Sequence, residues 1–268
     1  MMKFSRFGGF AAAVLLTIAG FASVASATHS WGGYHWARTA NPFVLKLGDN
    51  VSYVWDAHLA TTSTDWNASS VLDTMIAAGQ SKANCRPTNG RVEVCNKTYG
   101  NNGWLGVASI WVNGSHITQG TVKLNDTYFN TASYNTPSWR QFVVCQEIGH
   151  TFGLDHQDVN FYNTNLGTCM DYTSDPSGTL YSQPSNVHPN QHDYDQLVTI
   201  YTYLDTFTSA FSNVWSARGS SKANDDIDTS DAKEWGKEVR KSSDGKSSLH
   251  ERDLGKGNKL FTFVIWAN

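Results

Sequence analysis

The tightest constraint on this chain lies between residues 136 and 156. Thr136 and Pro137 form a helix-start signal, a capping hydroxyl followed by a residue whose fixed φ suits the first helical position. Gly153 is the matching stop, because glycine alone enters the left-handed region without steric cost. Between them the spacing predicts one helix, with Gln146 and His150 four residues apart on a single face and Glu147 beside them. A chain carrying this element must build a core around that face, and His156 follows three residues after the glycine.

The pattern suits a metal. Zinc takes about four nitrogen, sulfur or oxygen ligands in a tetrahedron, and two on consecutive helical turns are held rigidly. The turn at Gly153 brings His156 back as a further ligand. One coordination position is left for water, and Glu147 is placed to take a proton from it. Such an arrangement hydrolyses peptide bonds.

Glu147, His150, Gly153 and His156, with Met170 in the segment Thr168-Cys169-Met170-Asp171-Tyr172, resemble the metzincin zinc endopeptidases, whose motif is H-E-x-x-H-x-x-G-x-x-H followed by a methionine turn. The resemblance covers roughly residues 50–207. It implies an α+β fold, a twisted mixed β-sheet with a site helix and a C-terminal helix; a small C-terminal β appendage is expected from the residues beyond it. It also implies Glu147 as general base, His150 and His156 as zinc ligands, and Met170 packed beneath the site. Tyr172, two residues after the methionine, is similar to the tyrosine of the astacin and serralysin branches, a ligand or an oxyanion stabiliser. The flanks, residues 104–126 and 192–201, look more like a microbial relative of the matrixins, in which an edge strand pairs with extended substrate; residues 106–110 are its counterpart here.

The first metal-binding histidine of the motif is replaced by Gln146. An amide oxygen is neutral and harder than imidazole, and is a poorer match for zinc. Three readings stay open: Gln146 ligates weakly with Tyr172 or another side chain completing the shell; His150 and His156 hold the metal with extra water; or the chain is a pseudoprotease that binds a peptide or protein without cutting it. The resemblance also admits a structural Ca(2+), for which Asp155 and Asp158 are candidates, although acidic residues after a helix end are commonly solvated turn formers. Asp158 is alternatively a carboxylate that orients a histidine. His116 invites a second-metal reading, and His188 and His192 are alternatives for the missing ligand, but all three are expected to be surface or capping groups.

Residues 1–27 read as a secretory signal, with Lys3 and Arg6 before an apolar stretch and Ala25-Ser26-Ala27 as cleavage site. Their removal takes the formal charge from −3 to −5, a mild acidity that argues against a nucleic-acid partner. Nothing later is apolar enough to span a membrane, so the mature chain is expected outside the cell, a monomer acting on a polypeptide substrate. In that setting the four cysteines suggest two disulfides. Cys85 and Cys95 flank a turn-rich loop, which leaves Cys145 with Cys169 to tie the site helix to the methionine turn; the alternative is Cys145 as a thiolate ligand.

Around the site, residues 51–59 alternate as a strand, and Asp65 reads as the cap of a helix over 66–78. Strands are expected at 91–96, 105–112 and 121–125, and a last core helix over 190–207. The metallopeptidase domain is placed at residues 28–210. Residues 211–268 read as a charged linker and the β appendage, ending in a strand at 260–266 too apolar to be left in water.

Overall fold

The computed structural model describes residues 1, 29–80, 84–210 and 227–267; the expected signal, apart from Met1, and most of the expected linker lie outside them. Within them the chain is α+β, one mixed nine-stranded sheet with four helices. The strands are β1 (His35–Trp36), β2 (Phe43–Asn50), β3 (Leu72–Ala78), β4 (Arg91–Lys97), β5 (Trp104–Asn113), β6 (His116–Asn125), β7 (Lys237–Lys241), β8 (Ser247–Gly255) and β9 (Asn258–Trp266). The helices are α1 (Tyr53–Trp66), α2 (Asp126–Phe129), α3 (Pro137–His150) and α4 (Gln191–Ile200).

The sheet runs β3-β2-β4-β6-β5-β9-β8-β7, with β1 pairing the start of β6. Pairs on the β3 side of β6 are parallel, and those from β6 to β7 are antiparallel. Alternation along the strands feeds both faces. Leu45, Leu47, Val92, Val94, Ala108 and Ile110 join Trp55, Leu59, Trp66, Phe142 and Ile148 of α1 and α3 in the main core. On the other face Trp104, Val107 and Val264 enclose Trp235.

Two elements differ from the sequence reading. Residues 53–66 are helical, not a strand: Trp55, Leu59, Thr62, Ser63 and Trp66 form the buried stripe. Its apolar periodicity is weak because Thr62 and Ser63 fill core positions, bonded to Gln141 Nε2 at 2.9 Å and Thr74 Oγ1 at 2.7 Å. The helix expected over 66–78 is mostly strand β3, captured by parallel pairing with β2 from Phe43 opposite Leu72 onward. Met75 and Ile76, read as core, are exposed on this edge strand.

α4 is shorter than expected, stopping at Ile200, and its capping box is complete: the Asn190 side chain accepts from Asp193 N, and Asp193 Oδ2 accepts from Asn190 N. Both disulfides are formed, Cys85 with Cys95 and Cys145 with Cys169. Cys145 is therefore no thiolate ligand. The closing apolar strand is not an isolated hairpin on the core: β9 pairs antiparallel with β5 from Asn258 opposite Asn113 to Trp266 opposite Trp104, so the main sheet continues into the C-terminal strands. Lys123, buried on β6, helps hold this segment through a 2.8 Å bond to Asp228.

Candidate metal centre

α3 begins as its sequence dictates, with Trp139 N donating to Thr136 Oγ1 at 3.2 Å and Pro137 in the first turn. From Gln141 to its end every residue is buried, because the helix lies on β5 and β6 with α1 alongside. The chain leaves it through Gly153 at φ +99°, where a side chain would meet the Tyr34 carbonyl oxygen at 2.2 Å; glycine is required on both counts.

That turn brings His156 back to His150. Their Nε2 atoms are 3.1 Å apart and the rings meet edge to face. Leu154 O accepts from His150 Nδ1 at 2.9 Å, which puts the ring proton on Nδ1 and leaves Nε2 as a bare lone pair. Burial drives both imidazoles towards neutrality: His150 is pushed down to about 4, and His156 well below its ordinary value, with His150 adding to the effect. Neutral imidazole is the ligating form.

Glu147 is almost wholly buried. Its carboxyl is raised well above the usual range by desolvation, partly offset by the backbone N–H of Ala108. The helix approaches β5 closely here because Gly106 has no side chain; a Cβ would lie 2.7 Å from Glu147 Oε1. Gln146 donates from Nε2 to the carbonyls of Cys169 and Asp171 at 2.9 and 3.0 Å, so the methionine turn fixes which way the amide faces. Gln146 Oε1, Glu147 Oε2 and His156 Nδ1 are buried without hydrogen-bond partners. Met170 is fully buried against the helix at Gly149, where an added Cβ would meet its sulfur at 2.5 Å.

A divalent ion fits this donor set. Two nitrogens at zinc distances of about 2.0–2.1 Å stand roughly 3.3 Å apart at the tetrahedral angle, close to the 3.1 Å between these Nε2 atoms. The Gln146 amide oxygen, buried without a partner, is available as a further donor. The same 3.1 Å also suits an N–H···N bond in the metal-free chain. Calcium has no support: the His/His/Asp groups found elsewhere among the described residues are not the oxygen cages it requires. Asp158, expected as a calcium or histidine-orienting carboxylate, instead accepts from Asn160 N and Asn163 Nδ2 within its own loop.

The site is covered by the C-terminal strands. Phe263 of β9 stacks on His150, with centroids 4.3 Å apart and planes 9° from parallel. Tyr172 packs its ring edge on His156, but its hydroxyl donates to the Lys246 carbonyl at 3.0 Å. Asp155, read as a solvated turn former, is buried in a two-pronged pair with Arg240 of β7 and lies 3.7 Å from His156 Nδ1. Residues 106–110, expected as the free substrate-binding edge, are paired on both sides, with β6 and with β9. Nothing in the local pattern pointed to Phe263, Arg240 or Lys246; the signal was the apolar run at 260–266, which had to find cover.

His188, set aside as a surface group, bonds Asp65 at 2.7 Å and is half exposed. His116 lies 3.0 Å from Asp205. No helix among the described residues is long and apolar enough to cross a membrane.

No protein-family profile matches the sequence, and no curated protein matches it. Among solved structures, the chain is similar to high choriolytic enzyme 1, a hatching-enzyme zinc protease from Oryzias latipes (medaka), at 12% identity and a TM-score of 0.35, over 64% of this chain and 96% of that one. A likeness this remote carries no argument about the activity.

Proposed function

We propose that this chain is a zinc-dependent endopeptidase of metzincin type, closed in this form by its own C-terminal strand. The observation that carries the reading is the pair of buried Nε2 atoms 3.1 Å apart, on residues four and ten positions after Gln146 in one helix–turn segment that also carries Glu147. His150 and His156 would hold the metal, with the Gln146 amide oxygen as third donor. Bound there, zinc supplies Lewis acidity towards water and a peptide carbonyl. Glu147 holds and moves the proton, and its raised pKa suits a group that must both accept a proton and return it to the leaving amine. Met170 and the Cys145–Cys169 disulfide brace the floor.

Closure rests on contacts that meet at the same place. β9 lies antiparallel along β5, as an extended substrate peptide would by strand addition. Phe263 covers a face of His150, Arg240 holds Asp155, and Lys246 engages the hydroxyl that Tyr172 would otherwise offer to the reaction. Displacement of the C-terminal strands would precede turnover. The mature chain is placed outside the cell after loss of residues 1–27, as a monomer acting on polypeptides, with neither nucleic acid nor membrane as partner.

The second reading is a pseudoprotease that binds peptide or protein without cutting it. It draws on Gln146, whose amide is already committed to two carbonyls of the methionine turn. Casein hydrolysis by the purified chain, with and without chelator, separates the two. The endopeptidase reading expects chelator-sensitive cleavage that Glu147→Ala abolishes while zinc content is unchanged. Equal cleavage by Glu147→Ala sinks it, and zinc without cleavage in a variant opened at Phe263 selects the pseudoprotease.

A further inference from the structure

A second cluster of ligating groups sits behind the site, where the segment at His29 meets the start of α4. His29 Nε2 lies 3.1 Å from Asp193 Oδ1. The His29 ring stacks on that of His192, with centroids 4.6 Å apart and planes 19° from parallel. One ligand atom from each of the three residues can be chosen so that all lie within 4.8 Å of one another.

The hydrogen bonding around this cluster is incomplete. Asp193 has no exposed surface, and its Oδ2 is saturated by Thr168 Oγ1 and Asn190 N. Oδ1 has no hydrogen bond. His29 is 3% exposed, and neither of its ring nitrogens has a hydrogen-bond partner; His192 Nδ1 is likewise unpartnered. Although His29 Nε2 and Asp193 Oδ1 are close, they are not aligned for an N–H···O bond. Off-axis approach is what two ligands of one ion display, since each lone pair points at the ion rather than at the other ligand. A carboxylate buried with one oxygen unsatisfied is costly unless a cation meets it.

We propose that His29, His192 and Asp193 form a second zinc site that clasps the start of the mature chain to α4. Two imidazoles and a carboxylate are a zinc donor set, and zinc–ligand distances of about 2.0–2.1 Å set tetrahedral ligand separations near 3.3 Å. His29 and Asp193 are already close to that, and His192, only partly buried, closes the remainder by a side-chain adjustment. Water fills the fourth position. The clasp bears on the first site through the backbone: His29 O accepts from Asp155 N at 2.5 Å, and Ser30 bridges Leu154, so it pins the loop that delivers His156. The other His/His/Asp group, His35, His116 and Asp205, is unsuited to a cation, because Arg38 already neutralises Asp205 at 3.2 Å.

The test is zinc stoichiometry of the untagged mature protein after chelator treatment and dialysis against buffered zinc. The expected result is about two zinc ions per chain in the wild type, one in His150→Ala/His156→Ala, one in His192→Ala, and none in the triple variant. His192→Ala should also weaken binding at the remaining ligands by at least roughly tenfold, in line with losses seen on disturbing metal-site partners. One zinc per chain in the wild type that survives His192→Ala overturns the proposal and identifies His29 and Asp193 as an ion pair alone. If the double variant fails to fold, the comparison of wild type with His192→Ala decides by itself. The endopeptidase reading is untouched by either outcome, since it stands on the zinc lost with His150 and His156.

Discussion

Replacing Phe263 by alanine should loosen the chain and uncover the metal centre together. The ring is 1% exposed, stacked on His150 at 4.3 Å and set edge-on to Trp31 at 4.8 Å. Truncating a buried phenylalanine costs about 3–5 kcal/mol, the lost transfer energy plus the cavity left behind. In a chain of this length each kcal/mol lowers Tm by roughly 2–4 °C, so a fall of about 10 °C is expected. Thermal unfolding followed by circular dichroism, with chelator present so that metal binding does not contribute, measures it. The same variant should let diethyl pyrocarbonate reach His150 faster, and should raise casein hydrolysis if β9 is what closes the site. A Tm within about 1 °C of wild type would refute the packing of β9 on His150, because no well-packed phenylalanine is lost so cheaply.

Other expectations follow from the same contacts. Gln146→His should tighten zinc at least about tenfold, measured against a competing chromophoric chelator. It should also lower the stability of the metal-free chain, since the carbonyls of Cys169 and Asp171 lose their donors; unchanged zinc affinity would show that position 146 does not face the ion. Asp228→Asn tests the docking of the C-terminal segment. Burial alone would raise the Asp228 pKa, but the Lys123 bond and Ser230 outweigh it and hold the group at about 2. Its stabilising contribution is therefore full above the unfolded value near 3.8 and is lost as pH falls through about 2. The Tm gap between wild type and Asp228→Asn should be widest near neutrality and shrink as pH drops from about 4 towards 2; a gap independent of pH would mean that Asp228 carries no paired charge.

Local chemistry announced the parts of this fold that local chemistry decides. The cap at Thr136-Pro137 and the glycine at 153 bound α3 within a few residues, Asn190 marks the start of α4, and the cysteines pair as their spacing and setting suggested. Strands β4 and β5 stand within a residue of where the turn signals placed them, while β6 begins earlier than expected, at His116 rather than Thr121. The failures have a common cause, which is partners distant in sequence. Residues 72–78 carry apolar groups at helical spacing, yet pairing with β2 outweighs it; α1 hides its buried stripe because Thr62 and Ser63 find partners in Gln141 and Thr74. At the site, the helix–turn segment that assembles Glu147, His150 and His156 is short and legible. Its cover is not: the seating of Phe263 on His150 and of Arg240 on Asp155 joins residues about a hundred positions apart, and no periodicity records such a register.

The most direct test of the account is an anomalous difference map at the zinc edge from crystals of the mature protein grown with zinc. The account predicts a peak at about 2.0–2.1 Å from the Nε2 atoms of both His150 and His156, with the Gln146 amide oxygen turned to it. A map with no density between those two rings, their nitrogens still about 3 Å apart and joined by a shared proton, would contradict it.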